Sequence, residues 1–423
     1  MTEKMLAKAS GRPSVRAGDY VSPDPDAVII HDGYVGSAHK ALTEAGYKRI
    51  ANRERVIFVT DHDVIYTNPN LILRGQNIRH VAKEWQVGKF FDVGQGGHGH
   101  IYPMEAGLVR PGSFVFAYDP HCSTFGALGA FAVCVLTDIV LVLATGTMSV
   151  EVPQTLRVEL KGDFGLGVHP RDLGFYLAHR LVSGVLKAPY DCRVVEFAGD
   201  TVRRLPVATR VAMCNTLTEI GAAHVLFPPM TMTGDPVSEL AEIESDADAV
   251  FESSVRIDLR TLTPQVALPG GPERAADIEV AVGRPITHAY LGSCGSNMYD
   301  DFKVAAETMN GRRVANGVRF FIVPGTVGMA ERMANEGLTQ QFMAAGAIML
   351  PPGCGPCAGG RSAPVGPNEV SISTAATNAA GRMGSASAEL FLGSPITVAA
   401  SAVAGYIVDP REVVVKRWSA NHA

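Results

Sequence analysis

Cys294, Cys354 and Cys357 have the clearest chemical content in this chain. They lie in Y-L-G-S-C-G-S-N and P-P-G-C-G-P-C-A-G-G, a lone cysteine followed far downstream by a C-x-x-C. Each sits in a Gly-rich turn after an apolar run, A-Y-L before Cys294 and G-A-I-M-L before Cys354. Thiolates are good ligands for soft iron, and Gly-rich turns let backbone N–H groups approach the sulfurs. Three thiolates are one short of the usual four. A cubane held by three keeps one iron with open positions, and such an iron can act as a Lewis acid on a substrate hydroxyl and carboxylate. Two other readings stay open at this level. A redox-active C-x-x-C would not need Cys294, and a zinc site would want a fourth close ligand.

A second constellation is built from histidines and carboxylates. Asp61–His62, His98, His100, Asp119, His121 and Glu219 all fall at loops or helix starts beside apolar strands. A carboxylate next to an imidazole can fix its tautomer and raise its basicity, as general acid–base work needs. Taken singly, a D-H dipeptide is more often a capped turn than a catalytic pair. H-G-H (98–100) offers two metal-binding rings, too few for a site alone. N-T-L-T-E (215–219) sets Asn215 and Glu219 four apart, hence on one face of a helix, either as a plain polar face or as a pair beside the metal.

The elements that must position these residues read as α/β throughout. Short β-rich runs recur at 27–30, 55–60, 113–118, 155–160 and 320–324, separated by helical patterns at 2–9, 170–181 and 329–337. Such alternation predicts mostly parallel sheets covered on both faces, with ligands at the carboxyl ends of strands. Asp61–His62 and Asp119–His121 stand just past two such ends. Three domains are expected, at 1–153, 154–270 and 271–423, with V-E-V-P-Q (150–154) and L-P-G-G-P-E-R-A-A-D (268–277) as the boundary and linker. The apolar run 131–144, broken by Asp138, is shorter than a membrane span and predicts a buried helix. Net charge is −5 without a basic run, so no nucleic-acid footprint is expected. The N-terminus lacks the apolar core of a signal peptide. Seven cysteines in such a chain imply a reducing compartment, the cytoplasm. Cys134, Cys192 and Cys214 are expected to be buried small hydrophobes.

With these residues in view, the chain resembles the aconitase family, in particular the large subunits of its two-subunit isopropylmalate and homoaconitate dehydratases. The likeness runs nearly end to end: A-G-D-Y-V…H-D (17–32), V-I-F-V-T-D-H (56–62), G-G-H-G-H (96–100) on G-I-x-H-Q, and D-P-H-C-S-T-F-G-A-L-G-A (119–130) on D-S-H-T-x-x-x-G-A. It continues through V-P-Q-T-L-R-V-E-L-K-G, C-N-T-L-T-E-I-G-A (214–222), the two cysteine segments, and G-R-M-G…L-G-S-P-I-T-V-A-A-S-A (381–402). The resemblance implies three α/β/α domains and a [4Fe–4S] hydro-lyase whose cluster is held by Cys294, Cys354 and Cys357. It implies that Asp61 and His62 assist the leaving hydroxyl, and that His100, Asp119, His121 and Glu219 share their pocket. His31, Asn215, Thr377 and Arg382 fall on substrate-binding positions, Arg382 for a carboxylate. It also implies that a small swivelling-domain subunit, a separate chain, supplies the base. No nucleic-acid or membrane partner is implied.

Departures from the family pattern concentrate at the active-site motifs. D-S-H-T becomes D-P-H-C, and Pro120 removes a hydroxyl and an N–H donor. G-S-C-T-N becomes G-S-C-G-S-N, which shifts Asn297 by one. N-R-N-F-x-G-R becomes A-T-N-A-A-G-R (376–382), with Ala376 for the asparagine and Thr377 for the first arginine. A hydroxyl does not replace an arginine fork on a carboxylate. The expected function is therefore a dehydratase, hydratase or isomerase of a hydroxy acid other than plain isopropylmalate or citrate. The alternatives are a standard isopropylmalate or homoaconitate isomerase subunit and, from another class, a non-catalytic cluster-bearing regulatory protein.

Overall fold

The computed structural model describes residues 1–413. The chain forms two compact units of interleaved segments. Residues 1–160, 188–207 and 221–256 make the first; 161–187, 208–220 and 257–413 make the second.

The first unit is organised by a five-stranded parallel sheet, ordered Lys89–Phe91, Val56–Val59, Ala27–His31, Phe114–Ala117 and Phe131–Cys134. Its inner strands are runs of Val, Ile, Phe and Ala buried at every position, because a parallel sheet is covered on both faces. The helices Asp32–Glu44 and Pro69–Glu84 pack against each other. Asn68 caps the second by accepting from the Asn70 N–H at 3.0 Å, with Pro69 at the first helical position, where no N–H is needed. A four-stranded sheet, ordered His224–Leu226, Val194–Ala198, Thr155–Lys161 and Ser253–Asp258, lies largely in this unit.

The second unit centres on a seven-stranded sheet, ordered Ala275–Asp277, Gln265–Ala267, Glu389–Leu392, Val370–Ser373, His288–Leu291, Arg319–Ile322 and Ile348–Met349. It is parallel except at the first two strands. The helices Tyr299–Met309 and Pro395–Ala404 pack together, and the second also lies against strand His288–Leu291. Phe302, Leu291, Phe320, Ile372 and Val398 fill this core. Truncating Phe302 to alanine there should cost about 3–5 kcal/mol.

Three sequence expectations are corrected here. Residues 131–144 are not one helix. Phe131–Cys134 pairs in parallel with Phe114–Ala117, and a turn with Leu136 at φ 43° leads into the short helix Ile139–Thr145. The stretch 268–277 is no linker: Gln265–Ala267 and Ala275–Asp277 pair antiparallel across it, so it is the turn of a hairpin at the sheet edge. Of the three cysteines expected inside, only Cys214 is buried. Cys134 is half-buried on an edge strand, and Cys192 is exposed in a turn at φ 57°.

Candidate active site

Two strand ends build the first group of residues. His31 closes the strand Ala27–His31, and Asp61 follows Val56–Val59 by two positions. The parallel register sets His31 level with Val59, so the side chains leaving both ends meet. His31 Nδ1 lies 2.9 Å from Asp61 Oδ2. The same oxygen accepts from the Gly99 N–H at 2.7 Å. A Cβ at position 99 would lie 2.3 Å from the His31 ring, so glycine is what lets the backbone reach the carboxylate there. His62 Nδ1 is 2.8 Å from Asp61 Oδ1 and 2.8 Å from Asp32 Oδ1. Asp32 opens the helix Asp32–Glu44, where negative charge is favoured, and accepts from the N–H groups of Gly33, His62 and Asp63. On its far side His31 Nε2 faces His100 Nε2 at 3.1 Å.

The charges in this group follow from their neighbours. Burial works against a charged His31, but the Asp61 carboxylate outweighs it and the ring's pKa is raised. Burial likewise opposes charge on His62, and Asp61 with Asp32 overcomes it, holding the ring well above its usual range. Burial would raise Asp61, yet the two imidazoles hold it well below the usual carboxylate range. His100 goes the other way: burial and then the charge of His31 push it well down, so it is neutral. With His31 charged, its Nε2–H would donate to His100 Nε2. The proton of a neutral His100 would then sit on Nδ1, a buried atom with no hydrogen-bond partner among the described residues.

Asp119 and His121 complete this side. Asp119 caps the 3-10 helix Pro120–Leu128 by accepting from the His121 N–H at 2.9 Å, and His121 Nδ1 lies 3.2 Å from the same carboxylate. Burial would raise Asp119, but the charge of His121 dominates and holds it well below the usual range. Asp119 Oδ1 is 3.6 Å from His100 Nε2. Pro120 takes the first helical position, where an N–H would be unpaired anyway, so this departure costs the helix nothing. His98 is buried and accepts from the His100 N–H through Nδ1 at 3.2 Å.

The cysteines belong to the second unit. Cys294, Cys354 and Cys357 are all buried and free of disulfides. Each follows a strand end, of His288–Leu291 or Ile348–Met349. They gather around Tyr290, whose hydroxyl donates to the Cys354 carbonyl oxygen at 2.9 Å and lies within electrostatic reach of all three thiols. Ser293 turns the chain into Cys294 at φ 71°, a conformation rare for a residue with a Cβ, and its Oγ is 3.7 Å from the Cys294 sulfur. Neither amide atom of fully buried Asn297 has a hydrogen-bond partner among the described residues. Arg382 Nη2 lies 3.9 Å from the Cys357 sulfur.

The remaining nominated residues also lie in the second unit. Asn215 is buried within the helix Val207–Thr218, and Glu219 stands one residue past its end, half-buried. The backbone bond from Glu219 N–H to the Asn215 carbonyl keeps them one turn apart. Thr377 is half-buried and Ala376 buried. Asn378, retained from the motif, donates from Nδ2 to the Leu268 and Leu390 carbonyls, both at 2.8 Å, and so ties the hairpin to its neighbouring strand.

Asp32 and Arg171 were not singled out from the sequence. Asp32 carried a signal, the H-D dipeptide at 31–32. Arg171 carried none, for in H-P-R-D it reads as an ordinary charge at a helix start. In the structure His169 and Asp172 form a reciprocal cap there, and Arg171 is fully buried. Burial pushes Asp172 up to about 7, against the pull of its bonds from the His169 and Gln265 N–H groups.

Comparison with known proteins accounts for nearly the whole chain. The model of the aconitase family (aconitate hydratase) matches residues 7–285 and 280–405. The chain is 34% identical to 3-isopropylmalate dehydratase large subunit 1 of Methanopyrus kandleri, over 97% of this chain and 98% of that protein. It is 34% identical to a probable methanogen homoaconitase large subunit of Methanothermobacter thermautotrophicus, over 97% of both. Identity is 36% to the 3-isopropylmalate dehydratase large subunit of Herpetosiphon aurantiacus, over 97% of this chain and 96% of that one. The holo-form crystal structure of Thermococcus kodakaraensis aconitase X shares the fold at a TM-score of 0.51, with 11% identity over 84% of each chain. Among the described residues no helix is long and apolar enough to cross a membrane.

Proposed function

The chain belongs to the aconitase family and is a hydro-lyase, and from that premise we propose that it removes or adds water on a small hydroxy acid, using a [4Fe–4S] cluster held by Cys294, Cys354 and Cys357. The observation that carries this reading is the gathering of three buried, disulfide-free thiols around the Tyr290 hydroxyl. The relatives are named large subunits, and a separate small subunit is proposed to supply the base here. The three larger sheets are likewise proposed to mark three α/β domains.

The residues suit such a group. Cys294, Cys354 and Cys357 would hold such a group with three thiolates, one fewer than the usual four. The Asn297 amide and Arg171 Nε are buried polar atoms without hydrogen-bond partners among the described residues, and a charged inorganic group engages such atoms. When bound, the cluster supplies Lewis-acid polarisation of a substrate hydroxyl and carboxylate.

The chain's own part is to hold and move a proton. Asp61 keeps His31 charged, and His31 donates to His100. The Nδ1–H of His100 is the donor offered to a departing hydroxyl. As that proton leaves, His31 passes its Nε2 proton to His100 Nε2 and stays bonded to ionised Asp61 as a neutral ring. Asp119, kept ionised by His121, sets a carboxylate beside His100. Arg382 is proposed to bind a substrate carboxylate. Substrates that need a second arginine fork from this subunit fit poorly, because Thr377 stands where relatives offer that cation.

The test is anaerobic reconstitution with iron and sulfide in the presence of a co-expressed small subunit, followed by assay on a panel of hydroxy acids. Broad visible absorption and turnover, both lost in Cys294→Ser, are expected. Stoichiometric zinc with no iron in protein prepared anaerobically would overturn the reading.

A further inference from the structure

Arg171 is among the largest fully buried side chains of the molecule. It stands at the second position of the helix Pro170–Val182, and its guanidinium lies over the Phe175 ring, 5.2 Å from the centroid. Nη2 donates to the Ala375 carbonyl, and Nη1 lies 3.4 Å from Ser296 Oγ. Nε has no hydrogen-bond partner among the described residues. Among the described residues no carboxylate accepts from it. Asp172 spends its oxygens on backbone N–H groups of His169 and Gln265, and Asp301 spends its own on Met298 N–H and His169.

An arginine buried without a carboxylate is expensive, several kcal/mol even after relaxation. Something nearby must offset the charge. The groups within electrostatic reach are Cys294 and Cys357, with Asp301 and Asp172 beyond hydrogen-bond contact. The backbone is fitted to this arrangement. A Cβ at position 295, next to Cys294, would lie 2.1 Å from Nη1, so Gly295 is what admits the guanidinium to the cysteine loop.

Resting on the cluster reading above, we infer that Arg171 is a positioning residue for that cluster: it braces the Cys294 loop through Ser296 and Ala375 and supplies the countercharge for the thiolates of Cys294 and Cys357 and the anionic group they hold. A plain structural brace would need the hydrogen bonds alone. A countercharge needs the cation, and it leaves the cluster-free chain with a buried charge poorly compensated.

That difference sets the experiment. Arg171→Gln keeps a donor for the Ala375 carbonyl and removes the charge; Arg171→Lys keeps the charge and loses the fork. Each is reconstituted anaerobically, and three quantities are read: the rate of iron loss to a chelator, the midpoint potential of the bound cluster, and the thermal midpoint of the cluster-free chain. For Arg171→Gln, iron loss should be faster by about ten-fold or more, in line with the loss of a residue supporting metal ligands. The potential should fall, since adding an electron no longer meets a nearby cation. The cluster-free chain should melt at the same or a higher temperature, because the uncompensated charge is gone. Arg171→Lys should keep a potential near that of the unaltered protein. Equal iron loss and potential in all three proteins overturns the inference, and so does a lower melting point of the cluster-free Gln variant with no shift in potential. If the unaltered chain takes up no iron, the cluster reading fails and this inference fails with it. If it loads and the variants match it, only the role of Arg171 falls.

Discussion

His31 and His100 face each other nitrogen to nitrogen at 3.1 Å, and one of them must donate. The carboxylate of Asp61 on the far side of His31 decides which, since it favours charge on His31 while burial and that charge disfavour it on His100. The proposed relay takes its direction from this: Asp61, His31, His100 and then the substrate oxygen.

Asp61→Asn tests the relay. It removes the charge that holds His31 and His62 protonated. Turnover should fall by about 10²–10⁴, the usual share of a positioned acid. Stability at pH 7 should fall by about 3–5 kcal/mol, because buried His31 loses its carboxylate partner while His62 keeps Asp32 alone. The signs with pH are opposite for the two partners. Asp61 is depressed, so its contribution is present above the unfolded carboxylate pKa and is lost as pH falls through its own lowered value. His31 is raised, so its contribution is full below the unfolded imidazole pKa and is lost as pH rises through its raised value. Denaturant melts of both proteins across pH should show their difference largest between those limits and shrinking outside them.

Two histidines away from this group set a separate acid limit. Burial lowers His224 to about 4, against its bond to the Ala130 carbonyl, and lowers His288 to about 4, with Arg319 adding to the effect. A depressed histidine stabilises the fold above its unfolded pKa, and that stability is lost as pH falls through the folded value. The loss from each should reach about 3 kcal/mol between neutral pH and pH 4. His224→Gln, which keeps a donor for the Ala130 carbonyl, should flatten its share of that slope in urea melts. An unchanged slope would show that His224 is not held neutral.

Much of this was legible in the sequence. Runs such as V-I-F-V-T and F-V-F-A-Y became buried parallel strands because a covered sheet demands unbroken apolar residues. The polar residues just past them come together because strand ends are where side chains from neighbouring strands meet. Partner choice was less legible. Asp61 was expected to serve His62 beside it; it serves His31 as well, through a parallel register thirty positions apart in the chain. Asp32 enters through the same register. The 131–144 segment misled because an apolar run alone does not separate a strand from a helix. Arg171 was invisible because burial of a helix-start cation depends on Gly295 and Ala375, both more than a hundred residues away.

The cysteines make a sharper prediction. Cys294→Ser, Cys354→Ser and Cys357→Ser should each leave the fold intact, since an oxygen replaces a sulfur of similar shape, yet each should lose most reconstituted iron. Cys214→Ser and Cys192→Ser are the controls and should load normally. Iron and sulfide per chain, with circular dichroism as the fold check, decide it. Loading unaffected by one of the three would remove that residue from the ligand set.

Substrate choice turns on Thr377 and Arg382. Arg382 reaches the Cys357 sulfur at 3.9 Å, so a carboxylate bound by it would lie beside the proposed cluster. Thr377, half-buried five residues earlier, offers a hydroxyl where the family pattern has a guanidinium. A buried carboxylate without its cation costs several kcal/mol. The chain with the proposed small subunit should therefore act poorly on isopropylmalate and citrate, and better on a hydroxy acid with a smaller or uncharged group at that position. Arg382→Ala should raise the barrier by about 2–5 kcal/mol by leaving a substrate charge unpaired. Thr377→Arg should slow the native substrate by crowding and improve binding of a substrate with the extra carboxylate. Comparison of kcat/KM across the panel for the three proteins checks this. Efficient turnover of isopropylmalate by the unaltered pair would mean that another cation, from the small subunit or elsewhere, takes the place of the missing arginine.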